Sequence, residues 1–119
     1  MTLIKTYRDL IVWQKAMKLV TDIYTATKSF PPDELYALTN QVRRSAVSIP
    51  SNIAEGYGRN ATGEYKRFLQ IAVGSLFELQ TQIEIAVNLE YLAAEQFNSL
   101  FAAAKEIELM LIALIRKIK

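Results

Sequence analysis

Apolar residues recur along the chain at helical spacing in four separate stretches. From Asp9 onward, Leu10, Trp13, Met17, Val20 and Tyr24 follow one another at steps of three and four, the mark of a helix that buries one stripe. Asp9 stands where an N-cap is expected. Phe30-Pro31-Pro32 ends the pattern, because a residue before proline is pushed out of the α region. The spacing predicts a first helix over about 9–29. A second is predicted over about 33–55, capped by Asp33, with Leu35, Leu38, Val42, Ala46, Ile49 and Ile53 on its core face. Pro50 lies inside it, where a proline removes one hydrogen bond and crowds the preceding turn at a cost of about 3 kcal/mol. Since the apolar register continues past Pro50, a kink is expected rather than a break.

Asn60-Ala61-Thr62-Gly63 supplies loop residues, with Thr62 as the expected cap of a third helix over about 62–88. Its core face reads Tyr65, Phe68, Leu69, Ala72, Leu76, Leu79, Ile83 and Val87, and Asn88, tolerant of the left-handed conformation, marks its end. Over about 94–118, Phe97, Leu100, Ala104, Ile107, Leu111, Leu114 and Ile118 form a heptad-like seam. Four helices of about 20 residues, each roughly 30 Å long, with short links between them, predict an all-α fold. The arrangement expected is a single antiparallel up-down-up-down four-helix bundle occupying residues 1–119. Nothing in the sequence alternates with the period of a strand.

Composition narrows the chemistry. The 119 residues contain no Cys and no His, which removes thiolate and imidazole ligands and the usual general base. Glu78, Glu84, Glu106 and Glu108 lack the Glu-x-x-His pairing of a di-iron bundle, so no metal and no cofactor are expected. Ser45 and Ser48 have no basic partner to activate them, and Gly56-Tyr57-Gly58 follows no strand and is not a dinucleotide fingerprint. The expectation is a protein that is not an enzyme and has no small-molecule substrate. A cytoplasmic location is expected, with no membrane partner, since no stretch has the length or continuity of a signal peptide core or a membrane span. Apolar residues make up 51% of the chain, an excess that points to surface buried between copies.

Two features remain as candidates for function. On a helical wheel Gln41, Arg44, Ser48, Asn52 and Glu55 share one side of the second helix, about 120° from its apolar face. Opposite the core face of the third helix lie Arg67, Ile71, Gly74, Glu78, Gln82 and Ile85. Small polar residues let backbones approach, so the stripe predicts a partly buried polar network at a helix or subunit contact, with Arg44 meeting Glu55 or Glu78. The second feature is charge. Arg43, Arg44, Arg59, Lys66 and Arg67 outnumber Glu55 and Glu64 in the middle of the chain. They are candidate contacts to nucleic acid or a nucleoprotein partner, and repetition around an oligomer would amplify the modest net charge of +2. Arg116, Lys117 and Lys119 suit the negative end of a helix dipole whatever the protein does. The alternative is an adaptor that binds another protein through the same helix faces and has no nucleic-acid affinity.

These residues also carry a family resemblance that spans nearly the whole chain. It rests on Asp9-Leu10 with Trp13-Gln14-Lys15-Ala16, on Phe30-Pro31 with Glu34, and on Leu38 with Gln41-Val42-Arg43-Arg44-Ser45-Ala46. It continues through Ser48-Ile49-Pro50-Ser51-Asn52-Ile53-Ala54-Glu55-Gly56 and Phe68-Leu69 with Ala72, Gly74-Ser75-Leu76 and Glu78-Leu79. In these motifs the chain resembles the four-helix-bundle 23S rRNA intervening-sequence proteins. The resemblance implies an antiparallel bundle that assembles with copies of itself into a closed ring, a pentamer. That family is in turn distantly similar to the accessory proteins of diversity-generating retroelements, basic rings that associate with a reverse transcriptase and nucleic acid. It brings no catalytic residue. One departure is Asn88-Leu89-Glu90-Tyr91, where relatives commonly place a glycine, which bears on the turn geometry there.

Overall fold

The structure is a computed structural model that describes residues 3–118. It contains four α-helices, α1 (Ile11–Thr27), α2 (Leu38–Tyr57), α3 (Thr62–Asn88) and α4 (Ala94–Lys117), with short 3₁₀ turns at Tyr7–Asp9 and Pro32–Glu34. No strand occurs among the described residues. α2 packs on both α1 and α3, and α4 on both α3 and α1, so the helices close around one core in a molecule measuring 43 × 27 × 20 Å. Val42, Ala46, Ile49 and Ile53 of α2 meet Leu69, Ala72, Leu76, Leu79 and Ile83 of α3 and Ala104, Ile107 and Leu111 of α4 in that core.

On α1 the buried stripe is displaced from the expected one. Val12, Ala16, Leu19 and Ile23 face inward, each one residue before Trp13, Met17, Val20 and Tyr24, a rotation of about 100°. The small Ala16 and Ala26 let α1 approach the core, while Met17 and Tyr24 are exposed and Trp13 and Val20 lie half-buried at the edge. Both stripes are apolar in sequence, and packing against the other helices decided between them. Asp9 caps the preceding turn rather than α1: its carboxylate accepts from the amides of Lys5 and Thr6, which holds its pKa below the usual carboxylate value.

α2 begins at Leu38, not at Asp33. Residues 32–34 form a tight 3₁₀ turn after Pro31, and Leu35, expected in the core, is 46% exposed. The Glu34 carboxylate accepts from the Leu38 amide, doing the capping assigned to Asp33. The helix continues through Pro50 to Tyr57 without a break. Thr62 is the first residue of α3 and not its cap, which falls on Ala61.

The α3–α4 link explains the departure at Asn88-Leu89-Glu90-Tyr91. Glu90, not Asn88, takes the left-handed conformation at φ 65°. The Glu90 amide donates to the Val87 carbonyl and the Tyr91 amide to the Ala86 carbonyl, the two bonds of a Schellman motif. That position ordinarily favours glycine.

Candidate functional site

The polar residues of α2 and α3 face each other. Ser45 Oγ donates to Gln82 Oε1 at 2.8 Å, and the hydroxyls of Ser48 and Ser75 share a hydrogen bond of 2.8 Å. Asn52 Nδ2 donates to the carbonyl and the hydroxyl of Ser48 at 2.8 and 2.9 Å. Ser45 and Gln82 are buried, so their bond is made away from competing water, while Ser48 and Asn52 lie half-buried at its edge. Part of the polar stripe expected at a helix or subunit contact thus meets its partners inside the chain, Ser48 on α3 and Asn52 on Ser48. The sequence weighs Ser45 only as a nucleophile and Ser75 only as part of a motif, because a serine one step from an apolar position gives no sign of its partner. Gln82 was placed on the outer side of its helix.

Toward the start of α2 the seam opens into a groove of about 620 Å³ lined by Tyr36, Asn40, Gln41, Arg44, Ser45, Ser48 and Glu78. Arg44 and Glu78 both line it, yet neither forms an ion pair within 4.0 Å among the described residues. Glu55, the other expected partner of Arg44, pairs with Arg59 at 3.0 Å, just past the end of α2. Tyr36 stands at the rim almost wholly exposed, at 91%. The groove therefore offers one cation, one carboxylate, two carboxamides and hydroxyls to whatever approaches it. A guanidinium or a carboxylate on a partner would each find its complement there.

The candidate cations do not gather into one patch. Arg43 Nε donates to Thr27 Oγ1 at 2.9 Å, and its guanidinium lies over the Tyr24 ring at 4.7 Å, which fastens α2 to α1. Arg59 and Arg67 lie at the opposite end of α2, on the order of 20 Å away along the helix. Their guanidiniums approach the same Phe68 ring, at 5.0 and 5.9 Å. Arg67 also pairs with Glu64 at 3.6 Å, and Lys66 beside it is half-buried. Close approach of the helices at this end depends on Gly56, where an added Cβ would fall 2.6 Å from Phe68 Cβ and 3.3 Å from the Tyr65 carbonyl oxygen. Lys119 lies outside the described residues.

α3 also presents an apolar outer side. Ile71, Phe77 and Ile85 are exposed, and Gly74 among them has open space where a Cβ would sit. Among the described residues there is no group of three metal-ligating side chains, and no helix is long and apolar enough to cross a membrane.

The family model described as 23S rRNA-intervening sequence protein matches residues 8–113. Among solved structures the chain is similar to a protein of unknown function from the S23 ribosomal protein family of Bacteroides thetaiotaomicron VPI-5482, with a TM-score of 0.84 and 25% identity. The match covers 90% of this chain and 100% of that one. No curated protein matches the sequence.

Proposed function

Because the chain belongs to the 23S rRNA-intervening sequence protein family, we propose that it is a non-enzymatic helical bundle that forms a ring, a pentamer, and associates with nucleic acid or a nucleoprotein. The observation that carries this reading is the doubly used α2–α3 pair. Its inner faces complete the core, while Arg44 and Glu78 in the open groove and Ile71, Phe77 and Ile85 on α3 stay free for a contact outside the chain. The short link between α2 and α3 and the cyclic packing of the helices support an antiparallel up-down-up-down course. In a ring, Arg44 and the Arg59, Lys66 and Arg67 cluster would each recur at every subunit, multiplying a field that is weak in one copy.

A second reading, an adaptor for another protein without nucleic-acid affinity, is favoured by the groove's near-neutral lining and by the pairing of Arg59 and Arg67 with glutamates. Salt separates the two. Phosphate contacts release counterions, and binding weakens steeply as salt rises, whereas a packed helix-face contact barely responds.

The test is a titration of nucleic-acid-free protein against single-stranded RNA, structured RNA and duplex DNA at several salt concentrations, with size followed by light scattering. An Arg44→Ala variant and an Arg59→Ala, Arg67→Ala variant are measured alongside. Saturable, salt-sensitive binding that weakens in a variant whose assembly is intact supports the nucleic-acid reading. Absence of binding at low salt removes it and leaves the adaptor. A monomer at all concentrations removes the ring.

A further inference from the structure

At the turn between α1 and α2, away from the α2–α3 groove, lies a second cavity of about 340 Å³. Its polar lining consists of two cations, Lys28 and Arg43, and two threonines, Thr27 and Thr39, with Phe30, Pro31 and Leu35 as an apolar wall. No carboxylate lines it. The nearby Glu34 is occupied elsewhere, one oxygen accepting from the Leu38 amide at 3.3 Å and the other from the Tyr91 hydroxyl at 2.8 Å.

Two details distinguish this cavity from an accident of packing. The Arg43 side chain is held in place through Nε by Thr27 and from one face by Tyr24, so its orientation is set before anything binds. Its Nη hydrogens remain for a ligand, and it forms no ion pair among the described residues. The second detail is Thr39, 3% exposed, whose hydroxyl has no protein partner among the described residues. Buried hydroxyls are normally hydrogen-bonded, and an orphan asks for an explanation. An acceptor-rich ligand in the cavity would supply one once the hydroxyl, sealed from solvent in this rotamer, turns toward it.

We propose that this cavity binds a phosphate monoester, its dianion held by Arg43 and Lys28 with Thr39 as a further donor and its organic group against Phe30 and Pro31. Two cations lining one cavity without a carboxylate suit a double negative charge better than the single charge of a backbone diester. The monoester can come from a free mononucleotide or from the 5′ end of a nucleic-acid chain. The site is independent of the nucleic-acid reading above, because a mononucleotide alone can fill it.

The experiment is calorimetric titration of the full chain with AMP, inorganic phosphate, a 5′-phosphorylated oligoribonucleotide and its 5′-hydroxyl counterpart. Lys28→Ala and Thr39→Val are compared with Arg116→Ala, which removes a charge at the far end of α4. The expected result is saturable AMP binding that weakens about tenfold in Lys28→Ala, as for loss of a charge-assisted contact, and is unchanged in Arg116→Ala. Thr39→Val weakens binding and, by removing an orphan hydroxyl, raises the melting temperature of the free protein, so loss of affinity is not loss of fold. A response to the 5′-phosphorylated oligonucleotide alone assigns the monoester to a chain end; a response to AMP as well assigns it to a free nucleotide. No saturable binding of AMP, phosphate or the 5′-phosphorylated oligonucleotide at millimolar concentration overturns the proposal, as does equal weakening in Lys28→Ala and Arg116→Ala. Failure of the nucleic-acid reading registers separately, in the 5′-hydroxyl oligonucleotide, which carries no monoester.

Discussion

The seam between α2 and α3 and the seam between α1 and α4 flank the same core but are closed by different means. α2 and α3 meet through small residues, with Gly56 against Phe68 and Tyr65 and hydroxyl and carboxamide bonds at Ser45, Ser48, Ser75 and Gln82. α1 and α4 meet through aliphatic core residues, and along the outside they are joined by Lys15 and Glu106 at 3.3 Å, both well exposed. Open grooves of about 250 and 360 Å³ run along that second seam. One seam specifies a single register, because buried donors and acceptors must match; the other rests on burial, which tolerates small shifts.

If that contrast is right, Gly56→Ala has the largest effect. The added methyl meets the Tyr65 backbone and the first side-chain atom of Phe68, neither of which moves freely, and overpacking of this kind costs about 1–3 kcal/mol. Thermal unfolding should show a fall of roughly 10 °C for a domain this size. Gly74→Ala is the control: nothing lies near its Cβ, so the isolated chain should gain up to about 1 kcal/mol from helix propensity. A Gly74→Ala protein that is more stable but assembles less would show that the α3 outer side packs against another copy.

Ser45→Ala comes next. It deprives Gln82 Oε1 of its donor in a buried setting, at a cost of about 1–3 kcal/mol. Adding Gln82→Leu should recover part of the loss, and a denaturant-unfolding cycle over the four proteins measures the coupling. Additive losses would mean that the bond does not set the seam.

On the α1 side the effects should be smaller. Lys15→Ala breaks only an exposed ion pair and should change stability by no more than about 1 kcal/mol. A larger loss would place the α1–α4 seam on the same footing as α2–α3. Acid gives the smallest effect. The Asp9 pKa is lowered by the amides of Lys5 and Thr6, so the carboxylate stabilises the turn before α1 at pH above its unfolded value. That contribution is lost as pH falls below about 4 through the lowered pKa of the folded state. Protection of the Lys5 and Thr6 amides from exchange, taken relative to their intrinsic rates, should fall there, while the α2–α3 bonds, made by uncharged groups, persist.

Much of the fold is legible in the periodicity. Val42, Ala46, Ile49 and Ile53 are wholly buried, and the bounds of α3 are those the spacing predicts. Helix starts were harder to read: Asp9, Asp33 and Thr62 all have capping chemistry, but Asp9 caps a 3₁₀ turn, Glu34 holds the start of α2 and Ala61 precedes α3. A capping side chain bonds whichever amides the local turn presents, and several turns compete for each. The candidate site was legible as a set of residue types on a face. Which member met which was not, since Ser45 and Gln82 are 37 positions apart and nothing local couples them.

The sequence by itself determined four amphipathic helices, a chain without thiol or imidazole chemistry, and a set of family motifs that spans nearly its whole length. Those properties depend on neighbours within a turn or two, or on composition alone. Only the tertiary structure decided that α1 buries the stripe of Ala16 and Leu19 rather than that of Met17 and Tyr24. It likewise decided that Arg43 is oriented by Tyr24 and Thr27, and that α3 bonds Ser48 of the polar stripe on α2. The reason is physical: a helix fixes the angle between its own faces, whereas the partner of each face is chosen by how tightly four helices pack together.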